Sequence, residues 1–361
     1  MSYVQTAPIG AAASRPATAE RAVGLWLLGL AGMVLVQVML GAITRLTDSG
    51  LSIMEWKPIM GAIPPLSDAD WQDAFAKYQQ IPEYQRINKG MSLGEFKAIY
   101  WWEWAHRFLG RFIGFAFFVP FLIFWLRGAI PPPLMPRLIG IFALGGAQGA
   151  LGWFMVQSGL VERTDVSQYR LTAHLGLAVL IYAAVLWVAF GLGGRREARS
   201  PSAVSFKTMA AVFTGLVFLQ FLLGGFVAGT DAGLSHNTWP LMDGALIPSG
   251  LWAIQPWYLN LFENVLTIQF NHRMLAYAIA IFAVALAAVA WGQDEGRTRG
   301  LAVATLVMVL AQIALGIVAL LSQLQIGIAL AHQAGALLLL SLALYQWHSA
   351  TGHLPVAAPA L

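Results

Sequence analysis

Residues 37–52 read QVMLGAITRLTDSGLS, and residues 220–235 read QFLLGGFVAGTDAGLS. The two stretches align without a gap, and Trp56 falls on Trp239 at the same offset. The identical positions are Gln37, Leu40, Gly41, Thr47, Asp48, Gly50, Leu51 and Ser52, which match Gln220, Leu223, Gly224, Thr230, Asp231, Gly233, Leu234 and Ser235. Further along, AQGALG at 147–152 is echoed by AQIALG at 311–316. This repetition predicts a tandem duplication, in which each half of the chain builds the same unit.

The composition indicates where this unit lies. Hydrophobic residues make up 58% of the chain and charged residues 11%, with a mean hydropathy of +0.67, so a water-soluble surface could not be covered. Apolar segments long enough to span a bilayer lie at roughly 24–44, 101–126, 136–158, 170–190, 206–229, 267–291, 301–321 and 326–347. They show no period-two alternation and are therefore helices. We predict an all-α integral membrane protein whose eight transmembrane helices form two tandem-repeated four-helix bundles.

The distribution of arginine and lysine predicts the orientation. Residues at roughly 1–23 and 348–361 form tails, and 192–207 links the halves 24–191 and 208–347. The tails and the even-numbered loops carry Arg15, Arg21, Arg127, Arg137, Arg195, Arg196, Arg199, Lys207, Arg297 and Arg299. By the positive-inside rule both termini are cytoplasmic. We expect a multi-pass protein of the bacterial plasma (inner) membrane, with the mitochondrial inner membrane as the second choice, and no nucleic-acid partner. The segment 1–23 has no apolar core, so we do not expect a cleaved secretory signal.

Four histidines lie near the starts of four apolar segments, on one side of the membrane. His106 matches His272, and His174 matches His332, at repeat-equivalent positions. Cysteine is absent, which excludes thiolate ligands and iron–sulfur clusters. One histidine at the end of a membrane helix is usually structural, but four in matched pairs indicate axial ligands of haem iron. We expect neighbouring helices to hold a porphyrin between one imidazole on each face.

Glycine and aromatic residues near the histidines suit such a haem pocket. Glycines predicted to leave room for a flat ring are Gly110, Gly114 and Gly176, and aromatic residues able to pack on it are Trp101, Trp102, Trp104, Phe108 and Phe112. Both residue types are also common in membrane helices, so this support is weak alone. The histidines without repeat partners, interpreted as surface residues, are His236, His348 and His353.

Arg107 and Arg273 directly follow His106 and His272. A guanidinium at the outer edge of a haem pocket can pair with a propionate, which is a costly anion at that depth. Snorkelling of the side chain to the lipid headgroups explains the same positions equally well. The sequence leaves both interpretations open.

Glu103 is where the two halves differ in chemistry. It lies three residues before His106 and therefore on the same helix face, and its counterpart in the second half is Gln269. An ionisable carboxylate in one half alone marks that half as the place for proton-coupled chemistry. The alternative is an ion pair with Arg107 at i, i+4. We expect Glu103 to be catalytic, mainly because of the asymmetry.

These features together closely resemble the haem A synthase family: the eight-helix duplication, the Glu103–His106 pair, the four histidines, and GAITRLTDSGLS with its echo GTDAGLS. The resemblance runs from about Leu25 to Trp347 and is closest to the branch without cysteines, which includes alphaproteobacterial and mitochondrial enzymes. It implies a membrane oxidoreductase that converts the C8 methyl of haem O to a formyl group, making haem A for cytochrome c oxidase. It also implies a haem b cofactor on His272 and His332, and substrate haem on His106 and His174.

The resemblance further implies the partners of the reaction. Dioxygen and an electron donor are consumed, haem O is the substrate, and haem O synthase and oxidase assembly factors are candidate protein partners beside the membrane lipids and a homo-oligomer. A bis-histidine cytochrome b electron carrier is the alternative function, but it leaves Glu103 and the long first loop unexplained. A transporter built from parallel repeats would explain the duplication without using the histidines.

Overall fold

The computed structural model describes residues 17–57, 59–192, 204–292 and 296–351. Across these ranges the chain forms helices and turns, with no β-strand. The α-helices are α1 Ala17–Leu46, α2 Asp68–Tyr78, α3 Pro82–Arg86, α4 Leu93–Leu126, α5 Met135–Gln157, α6 Gln168–Phe190, α7 Val204–Gly229, α8 Val265–Trp291, α9 Gly296–Leu321 and α10 Ile326–Ala350. The all-helical prediction is confirmed.

Eight of these helices, α1 and α4 to α10, are long and apolar enough to cross a membrane. The predicted spans are confirmed, but several helices are longer than their apolar segments. Helix α1 includes residues 17–23, which the sequence assigned to a tail, and α7 begins at Val204 inside the predicted linker. The extra turns contain polar residues such as Glu20, because a helix that has left the hydrocarbon can continue with polar side chains.

The long first loop is an ordered cap on the N-terminal half. Ser92 forms a capping box with Glu95, so α4 begins at Leu93, before the apolar segment. The extra turns of α4 pack against α2 and the loop. The buried residues of this first-loop cluster are Leu51, Trp71, Phe75, Tyr78, Ile81, Phe96, Tyr100 and Val156. In the second half, the matching loop contains only short 3₁₀ turns, at Ala232–Leu234 and Trp257–Leu261.

Each half is a ring of four helices with the same cyclic order. In the first half α1 packs on α4 and α6, and α5 packs on α6; in the second, α7 packs on α8 and α10, and α9 on both. The contact between α4 and α5 is much smaller than the equivalent contact between α8 and α9. The N-terminal ring is therefore loosely closed along one seam.

The order of the ring corrects one expectation. Helices joined by short connections are antiparallel neighbours, so the second and fourth helices of each ring run parallel and lie diagonally across it. The histidine helices α4 and α6, and likewise α8 and α10, are therefore not neighbours. With neighbouring axes about 8–10 Å apart, the diagonal is about 11–14 Å, which leaves the centre of the ring between the two histidines.

The structure also corrects the interpretation of His348. It is only 6% exposed in the last turn of α10, where its ring meets the rings of Trp187 and Phe190 in α6. The sequence could not show this contact between the two halves. His236 is half-buried and pairs with Asp243, while His353 lies outside the described residues.

Candidate functional site

The four predicted histidines come together in two pairs, one inside each ring. His106 and His174 are close enough for their imidazoles to interact electrostatically, and His272 and His332 interact in the same way. All four lie in the half of their helices toward one end of the molecule, the end with the long loops at residues 47–92 and 230–264. We call this the loop end of the molecule.

The first pair is set between glycines and glutamines of the neighbouring helices. The ring of His106 lies over Gly41 of α1, whose added Cβ would be 3.2 Å from Nε2. The ring of His174 lies over Gly152 of α5, where an added Cβ would be 2.9 Å from Cε1. A methyl group at Gly152 would displace the imidazole of His174, and one at Gly41 would require the ring of His106 to yield by a few tenths of an ångström.

Glutamine amides bind the helical turns that carry His106 and His174. Gln37 Nε2 donates to the backbone carbonyl of His106 at 3.0 Å. Gln148 Nε2 donates to the carbonyl of His174 at 3.0 Å and lies 3.2 and 3.3 Å from the two ring nitrogens. The amide therefore faces the imidazole as well as the backbone.

The second pair repeats this geometry. An added Cβ would be 3.4 Å from Cε1 of His272 at Gly224, and 3.0 Å from Cε1 of His332 at Gly316. Gln220 Nε2 donates to the carbonyl of His272 at 2.9 Å and lies 3.2 Å from both ring nitrogens. Gln312, in the amide orientation that satisfies its neighbours, donates to the carbonyl of His332 at 3.0 Å.

Sequence reasoning missed these glutamines, although a signal was present. The pattern Gln-x-x-Leu-Gly occurs as QVMLG at 37–41, QGALG at 148–152, QFLLG at 220–224 and QIALG at 312–316. Each copy precedes one histidine helix and supplies both the glutamine and the glycine of its pocket. The repeated unit is thus a pair of helices, used four times.

Glu103 and Arg107 join the first pocket to the loop above it. Glu103 is 2% exposed, and its Oε2 accepts from Ser52 Oγ at 3.0 Å and from the amide of Ile53 at 3.2 Å. Its Oε1 accepts from Arg107 Nε at 2.8 Å. Arg107 also donates to the carbonyls of Ile53 and Glu55. The predicted ion pair at i, i+4 is present, and both side chains fix the backbone of the first loop.

In the second half, Gln269 and Arg273 also bind the backbone of the adjoining loop, but through different hydrogen-bonding groups. Gln269 Nε2 donates to the carbonyls of Ala232 and Ser235, at 2.6 and 2.5 Å. Arg273 donates to Gln269 Oε1 at 2.8 Å and to the carbonyls of His236 and Thr238, both at 2.9 Å. Each arginine lies at the loop end of its pocket, held by loop carbonyls.

The predicted packing residues have different roles in the structure. Gly176 allows close packing of α6 on α7, because an added Cβ would be 2.7 Å from Leu222. Gly110 contacts Gln37, and Gly114 faces open space. Trp101, Trp102, Phe108 and Phe112 are exposed on the outside of α4 and Trp104 stacks on Phe108, so the structure shows none of them packing inside the ring.

The loose seam of the first ring is lined by glycine. Gly145, Gly146 and Gly149 of α5 have nothing within 4 Å of an added Cβ. Counted from Gln148 and Gln312, the equivalent residues of α9 are Val309, Leu310 and Ile313, of which Val309 is 1% exposed. Leu310 is exposed, but the space that Val309 and the partly buried Ile313 occupy in the second ring is open in the first.

The two pockets fit a metalloporphyrin held between imidazoles. The two histidines of each ring are carried by diagonally opposite helices, and each imidazole lies against a glycine of a neighbouring helix. The amide oxygens of Gln37, Gln148 and Gln220 are buried and have no hydrogen-bond partner among the described residues. Such an oxygen beside an imidazole can accept a ring N–H, which is what an iron-ligating histidine requires of its surroundings.

Comparison with known proteins agrees with this geometry. Residues 24–344 match the COX15-CtaA family model, described as cytochrome oxidase assembly protein. The chain is 52% identical over 335 residues to a protein named "Heme A synthase" from Rhodospirillum centenum, covering 92% of this chain and 90% of that protein. It is 47% identical over 355 residues to "Heme A synthase" of Nitrosospira multiformis, covering 96% and 99%. A third relative of that name, from Bradyrhizobium diazoefficiens, is 50% identical over 335 residues, 92% of either chain. The chain belongs to the haem A synthase family.

Proposed function

We propose that this member of the haem A synthase family oxidises the C8 methyl group of haem O to a formyl group, making haem A for cytochrome c oxidase. The observation that supports this most directly is the presence of two imidazole pairs in rings of the same design, one tightly packed and one open. A permanent cofactor suits a closed ring, whereas a substrate must enter and leave.

The halves are accordingly given different tasks. His272 and His332 hold haem b in the C-terminal ring, whose α8–α9 seam is closed. His106 and His174 hold the substrate haem in the N-terminal ring, where α4 and α5 are the least buried of the spanning helices. The open space beside Gly145 and Gly149 gives a haem with a lipid-soluble tail room to enter from the bilayer.

The chemistry needs dioxygen and an electron donor, and proceeds through the alcohol and the gem-diol, which loses water to give the aldehyde. Haem b, when bound, supplies reversible one-electron transfer. The residues of the chain bind and orient the substrate and exclude water. Glu103 holds a negative charge next to the Ser52 hydroxyl at the loop end of the substrate pocket, where it is placed for proton transfer.

Arg107 and Arg273 brace the two loops over the pockets. Their remaining charge lies at the loop end, where the propionates of a haem held by the histidines would point. The guanidinium of Arg107 is neutralised in part by Glu103, whereas Arg273 has only the neutral Gln269 as its matched partner. A propionate therefore has more to gain from Arg273, in the cofactor pocket.

The loop end is assigned to the outside of the bacterial plasma membrane, with both termini cytoplasmic. Arginine-rich connections at the opposite end support this orientation. A reporter that is active only outside the cytoplasm should be active when fused after Asp70 or Asp243 and silent after Arg196. The reverse pattern would invert the topology.

The function is tested by expressing the chain in a host that makes haem O but not haem A, then extracting and separating the haems. A new pigment with a formyl-haem spectrum is expected. An unchanged pigment with a haem-loaded protein would instead indicate an electron carrier.

His272→Ala and His332→Ala should each remove haem b and abolish the product, while His106→Ala and His174→Ala should keep haem b and still make little or no haem A. Loss of all haem from the last two variants would contradict the division of tasks.

A further inference from the structure

Four glutamines stand in the same relation to the four histidines. In each pocket the amide nitrogen donates to the backbone carbonyl of the histidine itself, at 2.9 to 3.0 Å. In three pockets it also lies within 3.3 Å of an imidazole nitrogen. The glutamine is therefore positioned by the same turn of helix that presents the ligand.

The other end of each amide lacks a partner in three of the pockets. The oxygens of Gln37, Gln148 and Gln220 are buried and accept no hydrogen bond. In the fourth pocket the oxygen of Gln312 accepts from the amide of Ala336, at 3.3 Å, a long contact. Leaving a buried acceptor unpaired is unfavourable, so the repeated arrangement needs a compensating bond.

Iron ligation supplies that bond. An imidazole that binds iron through Nε2 is protonated on Nδ1, and this N–H needs an acceptor that fixes the tautomer and the plane of the ring. In three of the four pockets the glutamine amide is already within hydrogen-bonding distance of an imidazole nitrogen. For Oε1 to accept this N–H while Nε2 keeps its bond to the histidine carbonyl, the imidazole turns its Nδ1 toward Oε1; the residue beneath the ring is a glycine, without a Cβ.

We propose that Gln37, Gln148, Gln220 and Gln312 are positioning residues of the four haem ligands: each amide nitrogen holds the carbonyl of the histidine turn, and each amide oxygen accepts the Nδ1–H of the iron-bound imidazole. This inference rests on the proposed function, since it needs haem bound by these histidines. It goes beyond that function by assigning the groups that set the basicity of the ligands, and with it the reduction potential of the haem.

The test uses the full-length protein purified with haem b and two variants of Gln220, which faces His272. Gln220→Met has nearly the same shape and no hydrogen-bonding group, so haem affinity should fall roughly 10–100-fold. The reduction potential of the remaining haem should become more positive, because a less basic imidazole stabilises ferric iron less. Gln220→Glu provides a stronger acceptor and should make the potential more negative, with a matching change in the low-spin electron paramagnetic resonance spectrum.

Gln346→Met is the matched control. Gln346 is also a buried glutamine of the C-terminal ring, in α10, but its oxygen accepts from Thr305 and it lies several turns from His332. Its variant should keep the wild-type potential and spectrum.

The outcomes separate this inference from the function on which it rests. If the Met and Glu variants keep the wild-type potential and spectrum, the amides only support the helix and the inference is wrong. Should the Met variant hold too little haem for a titration, the Glu variant decides alone. A wild-type protein without a bis-imidazole haem spectrum would instead refute the proposed cofactor site.

Discussion

Glu103 and Gln269 occupy matched positions, but their side chains play opposite hydrogen-bonding roles toward the loops. Glu103 accepts every hydrogen bond it makes, from Ser52, Ile53 and Arg107. Gln269 instead donates two of its bonds to loop carbonyls and accepts one from Arg273. The two loops therefore present donors in one half and acceptors in the other. A glutamine at 103 would not reproduce the second half, because its NH₂ group would face donors.

Glu103→Gln is expected to lower both stability and activity. The amide has a single acceptor oxygen for a site with several donors, and each buried donor left without a partner costs about 1–3 kcal/mol. Loss of the ionisable group should also reduce haem A production at least about tenfold. Thermal unfolding and pigment analysis of the same preparation measure the two effects. Gln269→Glu is the control: it should weaken the second loop while leaving the substrate pocket intact. Normal stability and normal haem A in Glu103→Gln would show that the carboxylate is dispensable.

The sequence singled out the paired histidines but not the glutamines that contact them. The histidines stood out because the duplication placed each one opposite a copy of itself. The glutamines were visible only as parts of a repeat, since nothing in a sequence tells that Gln220 reaches the carbonyl of His272, 52 positions away. His348 was misjudged for the same reason: burial against α6 depends on how the two halves pack.

At the scale of helices, α5 and α9 show how one design serves two purposes. Both carry the Gln-x-x-Leu-Gly pattern, so both hold a histidine helix. Helix α9 fills the adjoining space with Val309 and Ile313, whereas α5 has Gly145 and Gly149 there. Hydropathy predicted both spans correctly, but it does not show which face of a helix carries large side chains and which carries only glycine. The two rings differ in that detail, on which the proposed division between a cofactor ring and a substrate ring rests.

Filling the seam should block the substrate selectively. Gly149→Ile copies Ile313 into the first ring, and the added side chain would occupy the open space beside α5, one turn from Gly152 under His174. We expect haem b content and folding to be unchanged, while substrate haem bound by the purified protein and haem A production both fall at least about tenfold, a loss of about 1.4 kcal/mol of binding. Gly140→Ile, also in open space but two turns further from the pocket, is the control. If both variants make haem A normally, the substrate does not use this space.

The loop elements carry a pH-sensitive group of their own. Glu83 in α3 is 4% exposed, and burial raises its pKa to about 8 from an ordinary value of 4.5. Tyr78 and Asn88 surround its carboxyl group, and Tyr78 donates to it at 3.2 Å. An acid whose pKa is raised on folding holds its proton more tightly in the folded state. Its stabilising contribution is therefore complete below the unfolded pKa and is lost as the pH rises through the folded one.

The first-loop cluster should accordingly loosen between about pH 4.5 and about pH 8. Limited proteolysis within residues 66–92, at a series of pH values, should show faster cleavage as the pH rises. Glu83→Gln cannot ionise and should flatten this dependence across the same interval. Asp70→Asn, on the exposed N-terminal turn of α2, is the control and should keep the slope. An identical slope in wild type and Glu83→Gln would assign the loosening to another group.

For the whole molecule, the two rings are joined through α6 and α7 and by polar contacts at the loop end. Arg45 of α1 reaches Asp231 at 2.5 Å and the carbonyl of Ala228 at 2.9 Å, both in the second half. Glu263 accepts from Gln168 at 2.8 Å, at the start of α6. Helix α6 carries His174 and α7 carries Gln220, so the two histidine pockets share this wall. Electrons passing from one haem to the other would cross it.

The close packing of α6 on α7 depends on small residues. Enlarging one of them tests whether the two halves must stay in contact. A Cβ on Gly229 of α7 would be 2.8 Å from Cα of Gln168 in α6, so the backbones themselves must separate. Gly229→Ala should cost about 1–3 kcal/mol by overpacking. Haem b should stay bound, because His272 and His332 lie within one ring, but haem A production should fall as the pockets move apart.

Gly215→Ala on the same helix, where nothing lies within 4 Å, should be neutral or slightly stabilising. Thermal unfolding, haem b content and haem A yield compare the two variants. Equal stability and equal haem A would mean that the rings work without close contact at this point, and that electrons reach the substrate by another route.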